Sequence, residues 1–121
     1  HPSAIRATFR MFGPDRVILI SDSMRAAGMP DGTYELGGQE VTVGDRKAVL
    51  GDGTLAGSAT NLYGCMCKAV EFGIPLGQAV KAATVNPARS IGIYDRVGSV
   101  APGKEADILL VTDHLELKKV I

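Results

Sequence analysis

The sequence predicts an α/β protein, and three observations support that prediction. Residues 17–20, Val-Ile-Leu-Ile, form a continuous apolar run of the kind found in a strand that is buried on both faces. Within residues 2–12, Ile5, Phe9 and Phe12 lie three or four positions apart, which is the spacing of one helix face. The chain has 15 glycines and only 5% aromatic residues, a composition typical of turn-rich α/β proteins that pack small side chains.

Length, charge and cysteine content narrow the class of protein. The 121 residues fit one domain or one part of a larger domain, and a complete (β/α)₈ barrel needs about 200–250 residues. Equal numbers of basic and acidic residues, 13 of each, argue against nucleic-acid binding. No apolar run reaches the roughly 18 residues of a membrane span. Two cysteines do not make a disulfide scaffold, so we expect a reducing compartment, the cytoplasm. The chain begins with His1 and has no secretory leader, which indicates either a piece of something longer or a processed chain.

The first elements follow from local signals. The helix over residues 2–12 is expected to end at Gly13-Pro14, because glycine and proline stop helices. The buried strand over residues 17–20 then ends in a polar group, Ser21-Asp22-Ser23.

A glycine-rich segment follows, over residues 28–53, with seven of the 15 glycines. Its alternating apolar and polar side chains predict a meander of short antiparallel strands, inserted between the buried strand and the next helix. The expected strands lie at residues 34–36, 41–43 and 47–50, with tight turns at Asp31-Gly32, Gly37-Gly38 and Asp52-Gly53.

Three helices and a strand-forming tail complete the chain. Apolar side chains at helical spacing predict a helix over residues 60–72 and a shorter one over residues 76–84. Asn86-Pro87 predicts the start of a third helix that runs to Ile91, because asparagine is a good N-cap and proline a good first helical residue. The tail is expected to contain a loop at 98–103 and strands at 106–111 and 118–121.

Asp22 is the sharpest candidate for chemistry. It follows the apolar run directly, and in a barrel enzyme an acid at the carboxyl end of a strand indicates catalysis. The alternative is that Asp22 or Ser21 only caps the next turn, as acids and serines in loops commonly do.

The second candidate is the small, glycine-rich segment over residues 52–58, which precedes a helix. Its main-chain amides could approach an anion or a sugar closely. It matches neither the Walker loop nor the dinucleotide fingerprint, because no Gly-Lys-Ser/Thr follows and Gly57 comes one position late. The alternative is an ordinary connection between a loop and a helix.

Cysteines and histidines do not predict a metal site built by this chain alone. Cys65 and Cys67 would point to opposite sides of a helix, so we expect packing roles and no bond between them. The only histidines, His1 and His114, lie near the two ends of the chain.

Several segments together resemble one enzyme family. In their order and spacing they are similar to the C-terminal third of the N-acetylglucosamine-6-phosphate deacetylases, which belong to the metal-dependent amidohydrolases. The resemblance covers essentially the whole chain, and residues 31–34 with 53–58 are its most specific part. The segments lie at residues 19–28 (LISDSMRAAG), 31–34 (DGTY), 53–58 (GTLAGS), 86–89 (NPAR) and 98–107 (GSVAPGKEAD).

The resemblance implies a fold. The family has a (β/α)₈ barrel and a small β-sandwich made from both chain ends. Residues 1–97 would be the C-terminal barrel segment, with the last strand, its helices and a β-hairpin insertion at about 28–53. Residues 98–121 would be strands of the sandwich. The chain would thus be an incomplete barrel on its own.

The resemblance also implies a site. Asp22 would be the catalytic general base and acid, and Leu55, Ala56 and Gly57 would bind the substrate, largely through the backbone. The full-length enzyme would hold a divalent metal ion, zinc or iron. The family's metal ligands, a Glu and two His, lie upstream, so this chain alone would bind no metal and would be inactive. His1 lies a couple of positions late for the family's substrate-binding histidine, so it takes no role.

Partners follow in the same way. The resemblance implies a sugar-phosphate substrate, a homo-oligomeric parent enzyme and self-association of the isolated segment, with neither nucleic acid nor membrane as a partner. Two alternatives stay open: a fragment of another amidohydrolase, similar to dihydroorotase or imidazolonepropionase, and a non-catalytic assembly module.

Overall fold

The computed structural model describes residues 1–45 and 47–121. These residues divide into two compact units, one made of His1–Leu19 with Met66–Ile121 and the other of Ile20–Cys65. None of the helices in the described residues is long and apolar enough to cross a membrane. In chain order, the elements of the described residues are α1 Pro2–Phe12, β1 Gly32–Leu36, β2 Gln39–Gly44, β3 Lys47–Leu50, β4 Leu55–Ser58, α2 Leu62–Glu71, α3 Leu76–Ala83, α4 Val85–Ser90, β5 Leu109–Val111 and β6 Leu117–Val120.

The unit Ile20–Cys65 is built on an antiparallel sheet with the strand order β1-β2-β3-β4. Alternate side chains of the sheet, Val41, Val43 and Ala48, pack with Met24 and Ala26 into a small core. Val41 and Ala48 are both 0% exposed, and Val41 is the larger of these two fully buried side chains. The predicted meander is confirmed.

The turns of the meander match the prediction in two of three places. Gly37 and Gly38 join β1 to β2 with φ of 60° and 82°, a left-handed conformation that favours glycine. Asp52 and Gly53 join β3 to β4, and the Asp52 carboxylate accepts a hydrogen bond from the Thr54 N–H at 2.9 Å. The predicted turn at Asp31-Gly32 is wrong, because Gly32 is already the first residue of β1.

Strand β4 corrects the prediction of a loop over residues 52–58. Leu55 pairs with Val49 and Gly57 pairs with Ala48, so Ala56 is the extra residue of a β-bulge. Its composition hides this strand, because alanine, glycine and serine have little tendency to form strands. Residues 55–58 form a strand because they pair with β3.

The apolar run at residues 17–20 does not form a strand here, although the sequence predicts one. Val17 is buried, but the side chains of Ile18 and Ile20 are 40% and 74% exposed. The Leu19 N–H donates to the carbonyl oxygen of Ala82, a residue of α3, at 2.9 Å. In a parallel sheet this N–H would donate to a neighbouring strand. A strand exists only within a ladder of hydrogen bonds, and no strand of the described residues pairs with this run.

The other unit is mainly helical. α1 has the predicted bounds, and the His1 imidazole Nδ1 accepts a hydrogen bond from the Ser3 N–H at 3.3 Å at its start. α2 and α3 also match, with ends shifted by one or two residues. Small side chains of α3 and α4 are buried here together with larger apolar ones: Phe9, Val17, Ile74, Ala79, Ala82 and Ala88.

Asn86 is not the N-cap that the Asn-Pro pair predicts. It lies inside α4 and is buried, and its side-chain amide donates to the carbonyl oxygens of Pro14 and Val17, both at 2.7 Å. The amide thus ties α4 to the chain between α1 and the apolar run, which is a long-range role that a local pattern cannot indicate.

The tail forms a two-stranded antiparallel sheet from β5 and β6, as predicted, although β5 is shorter than expected and β6 begins and ends one residue earlier. Before it, the Lys104 ammonium donates to the carbonyl oxygens of Tyr94 and Val97, and its Nζ lies 3.4 Å from the centroid of the Tyr94 ring. Arg96 and Glu105 form an ion pair across the same loop. The predicted boundary between residues 97 and 98 stays a prediction.

Lys104 is expected to stabilise this loop. Replacing it with Met keeps the length of the side chain but leaves two main-chain carbonyls without their charged donor, at a cost of about 1–3 kcal/mol. Chemical unfolding of the protein measures this free energy. Lys119→Met, at an exposed position in β6, is the control and should change it by less than about 0.5 kcal/mol. Equal losses in both variants would contradict a specific role for Lys104.

Candidate active site

Asp22 lies in the unit Ile20–Cys65 with an exposed side chain and a φ of +50°. This left-handed conformation is uncommon for a residue other than glycine, although aspartate and asparagine adopt it more readily than most. The main-chain oxygen of Asp22 accepts a hydrogen bond from the Ser58 N–H at 3.0 Å, and the Met24 N–H donates to the Ser58 oxygen at 2.9 Å. The segment around Asp22 therefore runs parallel to the end of β4.

The structure brings Asp22 next to one of the predicted substrate-binding residues. Gly57 has a φ of +138°, and a Cβ atom placed on it would lie 3.5 Å from the main-chain oxygen of Asp22. Leu55, at the other end of β4, is 69% exposed, whereas Ala56 packs against the core of the sheet. The predicted roles of Asp22, Leu55, Ala56 and Gly57 stay predictions, but the proximity of Asp22 and Gly57 is a property of the fold.

A set of hydroxyl groups that sequence reasoning missed surrounds this junction. The Ser23 hydroxyl donates to the main-chain oxygen of Thr60 at 2.5 Å, and the Thr60 N–H donates to the Ser58 Oγ at 3.1 Å. Serine and threonine are common in loops, so no local signal marks these two bonds.

Asn61, next to Thr60 in the sequence, is a helix cap that the sequence reasoning missed. Its side-chain Oδ1 accepts a hydrogen bond from the Gly64 N–H at 2.8 Å, which is the geometry of an N-cap on α2. An asparagine directly before the first apolar residue of a helical pattern is the signal that could have identified it.

The site presents one exposed carboxylate beside the main chain of a glycine-containing strand edge. Such an arrangement can accept or deliver a proton at the Asp22 carboxylate. Asp22 was the only carboxylate expected at the end of the apolar run, and the neighbours that the structure gives it are serine, glycine and threonine.

The residues that the structure describes do not fit a metal ion by themselves. Among them, no group of three or more His, Cys, Asp or Glu side chains lies close enough together to hold one. Both cysteines, Cys65 and Cys67, are free thiols, and burial raises the pKa of the Cys65 thiol. Any metal at this site would need ligands from outside these residues.

Known proteins resemble this chain in both sequence and structure. It is 43% identical, over 97% of its length, to the N-acetylglucosamine-6-phosphate deacetylase of Bacillus subtilis, and 36% identical, over 88%, to an N-acetylgalactosamine-6-phosphate deacetylase of Escherichia coli. A mutant N-acetyl-D-glucosamine-6-phosphate deacetylase of Mycobacterium smegmatis, solved in complex with N-acetyl-D-glucosamine-6-phosphate, superposes on 99% of the chain with a TM-score of 0.89 and 35% identity.

The match covers only part of each relative. The chain spans 30% of the Bacillus protein, 28% of the Escherichia protein and 32% of the Mycobacterium chain. Residues 16–121 also match the sequence profile of the amidohydrolase family, whose members are generally metal-dependent. Because that profile covers well over half of the sequence, the chain belongs to the amidohydrolase family.

Proposed function

We propose that the chain is the C-terminal part of a deacetylase that hydrolyses the acetamide of N-acetylglucosamine 6-phosphate to glucosamine 6-phosphate and acetate. The observation that carries this proposal is the junction of Asp22 with Gly57, where an exposed acid in a left-handed conformation meets the backbone of a glycine-containing strand. The similarity of the chain's sequence to deacetylases of acetylated amino-sugar phosphates supports the choice of substrate class.

The proposed fold of the whole enzyme is a (β/α)₈ barrel with a small β-sandwich. Residues 17–20 would be the last barrel strand, paired by strands outside this sequence, and Asp22 would lie at its carboxyl end. The exposed side chains of Ile18 and Ile20 support this, because a barrel strand buries apolar side chains on both of its faces. The tail sheet would belong to the sandwich, where Leu109, Leu110 and Val120, now exposed, would be covered.

In the proposed reaction, Asp22 moves one proton. Its carboxylate accepts a proton from the water whose oxygen bonds to the acetyl carbon, and it then delivers that proton to the nitrogen as the carbon–nitrogen bond breaks. The products are the free amine of the sugar and acetate. The backbone of Leu55, Ala56 and Gly57 would hold the sugar while this happens.

A divalent metal ion, zinc or iron, is part of the proposal for the full-length enzyme only. Such an ion polarises a carbonyl group and makes water more acidic, and its ligands would lie outside these 121 residues. The isolated chain is therefore expected to be inactive.

The proposal extends to partners and location. We expect the parent enzyme to be a homo-oligomer in the cytoplasm, with no nucleic acid or membrane as a partner. The isolated chain is expected to self-associate through the apolar side chains that the rest of the enzyme would cover.

A second candidate function is the same deacetylation of a different amino-sugar phosphate. The similarity to an N-acetylgalactosamine-6-phosphate deacetylase favours the epimer at C4 as the alternative substrate. The more distant alternatives, a relative of dihydroorotase or imidazolonepropionase and a non-catalytic module, have no comparable observation behind them.

An assay of acetate release by the full-length, metal-loaded enzyme tests the proposal. The panel contains N-acetylglucosamine 6-phosphate, its C4 epimer, unphosphorylated N-acetylglucosamine and dihydroorotate. We expect the first to have the highest kcat/KM, about a hundredfold or more above that of the unphosphorylated sugar. A site that binds the phosphate leaves its polar groups unpaired when the substrate has no phosphate. A preference for the epimer would favour the second candidate. Turnover of dihydroorotate alone, or of none of the four, would reject the proposal.

A further inference from the structure

We propose that Ser23 is a positioning residue for Asp22, acting through a closed ring of hydrogen bonds that we call the serine latch. The latch consists of Asp22, Ser23, Ser58 and Thr60. This inference rests on the proposed function, because it assigns Ser23 a task in the reaction that Asp22 would perform.

The first step of the argument is that Asp22 needs a restraint. A left-handed aspartate in an exposed loop returns to the commoner right-handed or extended conformations unless its neighbours hold it. Rotation of the main chain at Asp22 would redirect its carboxylate. Ser58 restrains one side of the residue, because its N–H donates to the Asp22 main-chain oxygen at 3.0 Å.

The second step is that Ser23 restrains the other side. Its hydroxyl donates to the Thr60 main-chain oxygen at 2.5 Å, a bond between residues 37 positions apart in the sequence. Thr60 is itself tied to Ser58, since its N–H donates to the Ser58 Oγ at 3.1 Å. Three hydrogen bonds and one peptide bond therefore close a ring through Asp22, and removal of the Ser23 hydroxyl opens it.

The third step is that the side chain of Thr60, a member of the ring, packs directly against Gly64. A Cβ atom on Gly64 would lie 2.4 Å from the Thr60 Oγ1, which is far closer than real side chains approach. The Thr60 hydroxyl thus occupies the space that a side chain at residue 64 would need. A substitution there disturbs the serine latch from its far end and leaves Asp22 and Ser23 unchanged.

The test uses the full-length, metal-loaded enzyme with Ser23→Ala and Ser23→Thr. We expect Ser23→Ala to lower kcat about tenfold to a hundredfold with KM within about twofold, because a misplaced catalytic group slows the reaction more than it weakens binding. Ser23→Thr keeps the hydroxyl and should restore kcat to within about threefold of the wild type. The control is Ser90→Ala, which also removes a hydroxyl that donates to a main-chain oxygen and should leave kcat unchanged.

Each outcome decides between support and rejection. A kcat of Ser23→Ala within about twofold of the wild type would reject the serine latch, and so would a Thr variant as slow as the Ala variant. If Ser23→Ala does not fold, Gly64→Ala takes its place and should show the same loss in kcat at a nearly constant KM; an unchanged kcat there overturns the inference. A wild-type enzyme without activity on acetylated amino-sugar phosphates would instead reject the proposed function.

Discussion

Replacing Asp22 with Asn in the full-length enzyme is expected to lower kcat by about 10²–10⁴-fold and to leave the fold intact. An amide cannot accept the proton that the carboxylate takes from water, so the reaction loses its base and, later, its acid. The fold is expected to survive because the bond that fixes Asp22 to Ser58 uses the main-chain oxygen of Asp22, and asparagine adopts the left-handed conformation at least as readily.

Asp45→Asn is a close control for this variant. Asp45 is also exposed and also has a φ of +50°, but it lies in the turn after β2. The same chemical change at the same backbone conformation should therefore leave kcat within about twofold. Steady-state kinetics and the unfolding midpoint of both variants decide the matter. Wild-type turnover in Asp22→Asn would exclude Asp22 as the catalytic base, and a large loss in both variants would point to a general effect of charge.

The elements that could be predicted are those whose signals are local. α1 has the expected bounds because Ile5 and Phe9 share one face and Gly13 ends the helix within a single stretch of sequence. β2 was expected for the same reason, since Val41, Thr42 and Val43 alternate between apolar and polar side chains, and Val41 and Val43 are buried. Each of these signals lies inside the element that it predicts.

The elements that could not be predicted depend on distant partners. β4 is a strand because β3 pairs with it, not because Ala56 or Gly57 favours one. The run at residues 17–20 has the composition of a buried strand, but composition says nothing of which strands will pair with it. Asn86 likewise serves carbonyl groups 69 and 72 residues away, where the Asn-Pro pair suggested a local cap.

The candidate site also has one part that could be predicted from local sequence and one part that could not. Asp22 could be found because an acid after an apolar run is a local pattern, and its resemblance to a family motif supports the choice. The contact of Asp22 with Gly57 and the bond of Ser23 to Thr60 could not be found, because they join residues 35 and 37 positions apart. Which hydroxyl reaches which carbonyl is decided by the pairing of β4 with the chain after Asp22, and that pairing is a property of the folded state.

Replacing Gly98 with Ala is expected to be the most damaging change for stability among the glycines. Gly98 has a φ of +88°, and a Cβ atom there would lie 2.8 Å from the Ala88 Cβ and 3.0 Å from the Thr84 main-chain oxygen. Neither atom can move cheaply, because Ala88 is buried in α4 and the Thr84 oxygen accepts a hydrogen bond from the Ala88 N–H. Backbone strain and overpacking together should lower the free energy of unfolding by about 2–5 kcal/mol.

Gly103→Ala separates the two causes of that loss. Gly103 has nearly the same φ, +85°, but nothing lies within 4 Å of the Cβ atom that the substitution would add. It should therefore lose only the backbone contribution, about 1–2 kcal/mol. Chemical unfolding of both variants of the full-length protein gives the two free energies, and their difference is the cost of the contact with α4. Equal losses would mean that α4 and the loop after Val97 can move apart, which the close approach of Gly98 to Ala88 argues against.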